Sequence, residues 1–326
     1  MERRKVLKFA ASAAAALSVP LARAQAHWKA SRPIQLMVPG QAGGMSDILA
    51  RQVANAIGAS LGQPIVIDNR PGASGTLASI LLTKGQADGH SLLTASSDTH
   101  TVYPHFFNNP SFQPEGHVPV AIISFVPFGL AVRKDLPVSN LAEFIALAKS
   151  RQLSFSTWGV GTTGHASMLL MARAAGIKDM LHVPFTGSAP AIQALMAGQV
   201  DAMMGAIPLI ASSRSHIKPL AVMSRSRSPA MSDVPTLQES GVSIEETKGF
   251  WVGIVAPPKT PADTVQVLAA EIRKAVESPS VKGRIAELGA VPDFVGPEGF
   301  QEVIRKEYDQ WKRLTQEAGI ARVEVK

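Results

Sequence analysis

The feature that most constrains this chain is a unit that occurs twice: a short apolar run, a loop of glycine and other small residues, and an amphipathic helix. The first copy runs Ile34-Gln35-Leu36-Met37-Val38, then Pro39-Gly40-Gln41-Ala42-Gly43-Gly44, then a helix opened by Ser46-Asp47 with Ile48, Leu49 and Val53 apolar. Glycine lets the backbone turn sharply and approach a ligand closely. The helix that follows begins with unpaired N–H groups and a partial positive charge, which attract anions. Ser46 or Asp47 is expected to cap it. An ordinary βα turn of an α/β sheet has the same pattern, so this loop alone assigns no function.

The rest of the chain repeats the theme. The spacing predicts a helix over residues 46–60, stopped by Gly62 and Pro64, then a strand at 65–67, a turn at 69–75, a helix at 76–84 and a strand at 91–95. The second copy is a strand at 153–158, the loop Gly159-Val160-Gly161-Thr162-Thr163-Gly164, a helix at 165–175, a strand at 180–185, a helix at 189–196 and a strand at 200–204. Gly85-Gln86-Ala87-Asp88 is answered by Gly198-Gln199-Val200-Asp201. At 326 residues there is room for two α/β domains of similar build. A bent strand over residues 118–132 and a second apolar strand over 250–256 would carry the chain out of the first domain and back. Helices are expected at 261–278, 280–288 and 297–318, with Phe300, Ile304, Trp311 and Leu314 on one face of the last.

Several function classes are excluded or weakened. There is no cysteine, so a disulfide framework, a thiolate metal site and a cysteine nucleophile are absent. No P-loop and no G-x-S-x-G elbow occurs. Gly159-x-Gly161-x-x-Gly164 matches the dinucleotide fingerprint, but the next strand ends Val183-Pro184-Phe185-Thr186 without the acidic residue that would hold a ribose. The histidines show no metal spacing. His165 is expected to hydrogen-bond loop backbone, and Trp158 is either a core aromatic or a pocket wall. No cofactor, metal ion or catalytic residue is expected.

The N-terminus reads as an export signal. Met1–Lys8 is basic, residues 9–21 are apolar and too short to span a bilayer, and Ala22-Arg23-Ala24 and Ala24-Gln25-Ala26 are cleavage patterns. Arg3-Arg4 fits twin-arginine export, and a general-secretion signal fits as well. Five basic residues against Glu2 account for +4 of the formal charge of +7, leaving +3 after cleavage. The one small basic cluster, Arg214, Lys218, Arg225 and Arg227, is too sparse for a nucleic-acid surface.

What remains are small polar loops at strand C-termini, residues 39–47, 95–100, 159–165 and 186–188. Ligands of open α/β sheets bind at such ends. These loops contain no lysine or arginine, and Asp47 and Asp98 are their only formal charges. Backbone N–H groups, hydroxyls and water would hold a small anion there.

With these residues assembled, the chain resembles the Bug family of periplasmic solute receptors, the binding proteins of tripartite tricarboxylate transporters. The matching stretches are VPGQAGGMSDILAR, LGQPIVIDNRPGASG, ADGHSLLTASSDTH, GVGTTGHASMLL, HVPFTGSAPAIQALMAGQVDAMM, RSPAMSDVPTLQESG and GFWVGIVAPP. The resemblance implies a two-domain, periplasmic-binding-protein-like α/β fold of type II, with two doubly wound sheets joined by crossover strands. It implies a signal peptide at 1–26, one domain from 27–125 plus 252–326, a second from 126–251, and a ligand cleft between them. Gly40, Gln41, Gly43, Gly44, Met45, Ser46 and Asp47 form one arm on the ligand carboxylate, and Gly161, Thr162, Thr163 and His165 the other. Ser96, Ser97, Asp98 and Thr99 line the floor; Trp158, Thr186, Gly187 and Gly205 complete the site.

Four positions depart from the family pattern. Gln41 lies at the first proline of a usual Pro-Pro-Gly-Gly run, Asp98 replaces a glycine, Thr186 a lysine, and Gly205 an acid. A single carboxylate with a neutral or aromatic distal part is therefore expected over citrate or glutamate. The implied role is non-enzymatic: a monomeric periplasmic receptor that delivers a carboxylate to membrane permease subunits, without nucleic-acid partners. A sensory receptor for a two-component system and an exported α/β enzyme are the alternatives.

Overall fold

A computed structural model describes residues 28–108, 114–244 and 249–324. The expected signal peptide, 1–26, lies outside the described residues. The first unit is β1 (Ile34–Val38), α1 (Met45–Leu61), β2 (Ile65–Asn69), α2 (Thr76–Thr83) and β3 (Ser91–Ser96). Leu49, Ala50, Val53, Ala54, Ile57 and Leu61 give α1 its buried face. Gly62 ends it in the left-handed region at φ 66°, which glycine adopts without steric cost. The N-cap is Gly44, with no side-chain cap, and not Ser46 or Asp47 as the sequence suggests. The helix opens one residue earlier, and Asp47 in its first turn accepts from Gly43 N, Arg51 and Asn69.

The second unit is β6 (Leu153–Thr157), α4 (Thr163–Ala174), β7 (Met180–Pro184), α5 (Ser188–Met196) and β8 (Ala202–Ala206). The two units have the same wiring: β1 pairs in parallel with both β2 and β3, and β6 in parallel with both β7 and β8. The glycine-rich loops therefore occupy equivalent places, at the carboxyl end of each unit's central strand.

Antiparallel strands complete both sheets. The run over 118–132 is two strands, β4 (Val118–Val126) and β5 (Phe128–Arg133), in different sheets. Pro127 lies at the switch; it has no N–H to offer a ladder. β10 (Phe250–Ala256) returns the chain, pairing antiparallel with β3 and β4. The six-stranded sheet runs β11-β4-β10-β3-β1-β2, with β11 at Val291–Val295. The five-stranded sheet runs β7-β6-β8-β5-β9, with β9 at Ile217–Met223.

Four further helices cover the sheets and one bridges β8 to β9: α3 (Leu141–Ser150), α6 (Ile207–Ser212), α7 (Ala262–Glu277), α8 (Pro279–Glu287) and α9 (Pro297–Glu317). Phe300 of α9 packs edge-on against Trp251 of β10, ring centroids 4.9 Å apart. Trp311 and Leu314, about three and four turns on, pack with Phe106 and with Ala166 and Leu170 of α4. The spacing that predicted the last helix thus reports a face that touches both halves. Each such aromatic, once fully buried, contributes about 1.5–3 kcal/mol. Among the described residues no helix is long and apolar enough to cross a membrane.

Candidate ligand-binding site

A cavity of about 740 Å³ opens where the carboxyl ends of the parallel strands from the two sheets face one another. The loop after β1 supplies Gly40, Gln41, Gly43, Gly44, Met45, Ser46 and Asp47. The segment after β3 supplies Ser96, Asp98 and Thr99; the loop after β6 supplies Trp158, Gly159 and Val160; the loop after β7 supplies Thr186, Gly187 and Ser188. Val126, Phe128, Phe185 and Phe250 add apolar surface. No lysine, arginine or histidine lines the cavity among the described residues.

Helix N-termini give the site its electrostatics. α1, α2 and α5 begin after Gly44, Gly75 and Gly187, and all three glycines line the cavity. None of the three helices has a side-chain cap. The first N–H groups of α1 and α5, and the dipoles of all three helices, can therefore favour an anion in the cavity; at α2 the backbone enters through a tight turn in which Gly75 N donates to Gly72 O.

Asp47 lines the cavity, but its oxygens are spent on the loop. They accept from Gly43 N at 2.9 Å, Asn69 Nδ2 at 3.0 Å and the Arg51 guanidinium at 3.0–3.1 Å. Asn69 also donates to Gly40 O at 3.0 Å. Burial raises the Asp47 carboxyl; the bonds from Arg51, Gly43 and Asn69 outweigh it and hold the group below the ordinary aspartate value. Asp47 thus fixes the shape of the loop that carries Gly40 to Gly44.

Asp98 is used differently. It begins a π-helical turn, Asp98–Val102, and its carboxylate reaches across to the other sheet's loop. Oδ1 accepts from Thr163 N and Thr163 Oγ1, both at 2.6 Å, and Oδ2 from Trp158 Nε1 at 2.6 Å. Burial pushes its carboxyl up; Thr163 and Trp158 pull it down by less, and the result lies above the ordinary value. The N-terminus of α4 is thus filled by a side chain of this chain. Trp158 stands both as a wall of the cavity and edge-on to Phe128, centroids 5.5 Å apart.

Other expected site residues do not line the cavity. Ser97 is buried beneath the floor, with its Oγ 3.4 Å from Thr163 Oγ1, whose proton goes to Asp98. Thr162 is the N-cap of α4 and donates to Gly159 O at 2.8 Å. Thr163 is engaged by Asp98. Gly161 turns in the left-handed region at φ 72°, and a Cβ there would stand 3.1 Å from Phe106 and Phe107. His165 accepts from Gly161 N at 3.3 Å, the backbone role expected of it, and stacks on His182 with centroids 3.8 Å apart. Gly205 lies within β8, where Met203 covers it; the next residue, Ala206, lines the cavity instead, as strand alternation requires.

Some lining residues missing from the sequence reading have recognisable signals. Pro71, Gly72, Ser74 and Gly75 line the cavity from the turn after β2, a strand carboxyl end like the others. Ser74 holds φ 53°, unusual for a residue other than glycine, and donates to Val160 O at 3.1 Å across the cavity. Val126, Phe128 and Phe250 had no signal, because they lie at strand ends where the chain changes sheets.

Comparison with known proteins agrees with this geometry. A profile of the family described as "Tripartite tricarboxylate transporter family receptor" matches residues 49–320. A protein encoded in the tcbD-tcbE intergenic region of Pseudomonas sp. is 34% identical, over 96% of this chain and 93% of that one. The structure of R. palustris Rpa4515 with adipate superposes with a TM-score of 0.85 at 32% identity, covering 90% of this chain and 99% of that one. The periplasmic binding protein BugD gives a TM-score of 0.83 at 29% identity, covering 90% and 100%. The mixed sheets, their wiring and these likenesses establish a two-domain α/β fold of the periplasmic-binding-protein kind, and the chain belongs to the TctC family of tripartite tricarboxylate transporter receptors.

Proposed function

We propose that this chain is an extracytoplasmic solute receptor that closes two lobes around a small carboxylate and delivers it to the permease of a tripartite tricarboxylate-type transporter. The lobes are residues 27–125 with 252–326, and residues 126–251, hinged where β4 passes into β5 and where the chain returns into β10. The N-terminal signal sends the receptor to the periplasm, where it works as a monomer without cofactor or metal.

The observation that carries this reading is the convergence of three helix N-termini without side-chain caps on one cavity, with no basic side chain among the described lining residues. Such a site holds a carboxylate by N–H groups, hydroxyls and water. Its volume suits a small organic acid. The adipate in the R. palustris relative supports the ligand class. Of the two carboxylates among the described lining residues, Asp47 is tied to Arg51 and Asp98 accepts three hydrogen bonds from Thr163 and Trp158. Binding without chemistry is the role this arrangement suits.

Calorimetric titration of the purified protein with a panel of aliphatic and aromatic carboxylates tests the reading, with small-angle scattering on the same samples. Binding of at least one acid with compaction is expected. At a hundredfold excess over its dissociation constant that acid should stabilise the fold by about 2.7 kcal/mol. A protein that binds no carboxylate would refute the receptor role. Intact mass of the exported form should show cleavage after Ala24 or Ala26.

A further inference from the structure

We propose that Asp98 sets ligand selectivity: its carboxylate fills the donors of α4, so the site takes acids with one carboxylate and a hydrogen-bond donor at the far end. This rests on the receptor reading above and narrows its ligand class.

The argument starts from acceptor positions. A carboxylate offers about four. Thr163 N, Thr163 Oγ1 and Trp158 Nε1 take three of them at Asp98, leaving one on Oδ2. Asp98 lines the cavity, and none of these bonds within the described residues takes that last position. All the partners of Asp98 are uncharged, in contrast to Asp47, which is paired with Arg51. The cavity floor therefore carries an acidic group that no cation in the lining offsets.

Two consequences follow. The ligand carboxylate belongs at the uncapped ends of α1, α2 and α5, because the fourth helix end is occupied. A second ligand carboxylate near Asp98 would meet like charge in a desolvated place, which is strongly unfavourable. An amide, ammonium or hydroxyl group there would instead donate to Oδ2. Asp98 also ties the two sheets together, and a purely structural tie would affect all acids alike. Selectivity shows in the ratio between acids, which a structural tie does not move.

The test is calorimetric titration of the wild type, Asp98→Gly and Asp98→Asn with matched acids. These are adipate, adipamate and 6-aminohexanoate with their four- and five-carbon homologues, and benzene-1,4-dicarboxylate against 4-carbamoylbenzoate. The wild type should bind the best acid with a distal donor about tenfold or more tightly than its matched diacid. Both substitutions should shrink or reverse that ratio by about tenfold, chiefly by strengthening diacid binding. Asp98→Asn keeps the side-chain volume and serves if the glycine variant melts too early to be titrated. A wild type that binds a diacid as tightly as its matched monoacid overturns the inference and leaves the receptor role standing. So does an equal weakening of every acid in both variants. If no acid binds any of the three proteins, the receptor reading falls, and this inference with it.

Discussion

Lowering the pH from about 7.5 to about 5 should destabilise this protein, and His165 should account for a measurable share. The ring lies in α4, 8% exposed, stacked on His182 and within 5.0 Å of the Phe106 ring centroid. Its Nδ1 accepts from Gly161 N, so a proton there would set N–H against N–H. Burial, and after it the neighbouring His182, hold its pKa down at about 3, against 6.5 in an unfolded chain. Because the folded value is depressed, the unfolded chain takes up a proton below about 6.5 while the folded chain stays neutral until about 3. The stabilisation is complete above that window and is lost as pH falls through it. At pH 5 the loss is about 1.5 pH units at about 1.4 kcal/mol each, or about 2 kcal/mol. Urea unfolding of the wild type and His165→Gln at both pH values measures it. Glutamine can still accept from Gly161, and its own cost cancels in the comparison between pH values. The wild type should lose about 2 kcal/mol more than the variant on acidification. Equal losses would mean that His165 protonates alike in folded and unfolded chains, and the burial argument would be wrong.

Three further outcomes follow from packing and capping. A Cβ at Gly164 would lie 2.5–2.6 Å from the Trp158 ring and 2.8 Å from Met204 O. Gly164→Ala should swing Trp158 off Asp98, costing about 1–3 kcal/mol in thermal unfolding and weakening the bound acid in a calorimetric titration. At Gly253 the added carbon would meet Phe300 at 2.6 Å and Ala121 O at 2.9 Å. Gly253→Ala should lose about 1–3 kcal/mol by urea unfolding, because backbone and a buried ring cannot both move aside. Asn140 caps α3 by accepting from Glu143 N at 2.9 Å, and Ser139 N donates back to Glu143. Asn140→Ala should cost about 1 kcal/mol in the same assay and leave ligand affinity unchanged, since α3 lies off the cavity.

The sequence by itself determined the elements and their order wherever a local signal was strong. Gly62 and Pro64 stop α1, and the spacing of Phe300, Trp311 and Leu314 marks the buried face of α9. The twofold use of strand, glycine loop and helix was legible as repeated chemistry, and it placed loops that line the cavity at strand carboxyl ends. These are properties of neighbours within a few residues, which periodicity and capping encode directly. Short or interrupted elements were not legible: β11 carries Pro292 and α6 opens Ile207-Pro208, each too brief for a period to register.

Tertiary structure decided the rest. One apolar run over 118–132 became two strands in two sheets, because alternation says which face is buried and not which sheet receives it. Asp98 was visible as an acid in a polar loop, but its partners Thr163 and Trp158 are 65 and 60 residues away. Only the packing of α4 against the floor brings those donors to it. His165 and Gly205, named from the resemblance, do not line the cavity: His165 stacks on His182 and Met203 covers Gly205, since a side chain's direction depends on what occupies the space beside it. Local sequence can choose a helix and a turn; which charge ends up against which helix end is settled by how the sheets and helices pack around it.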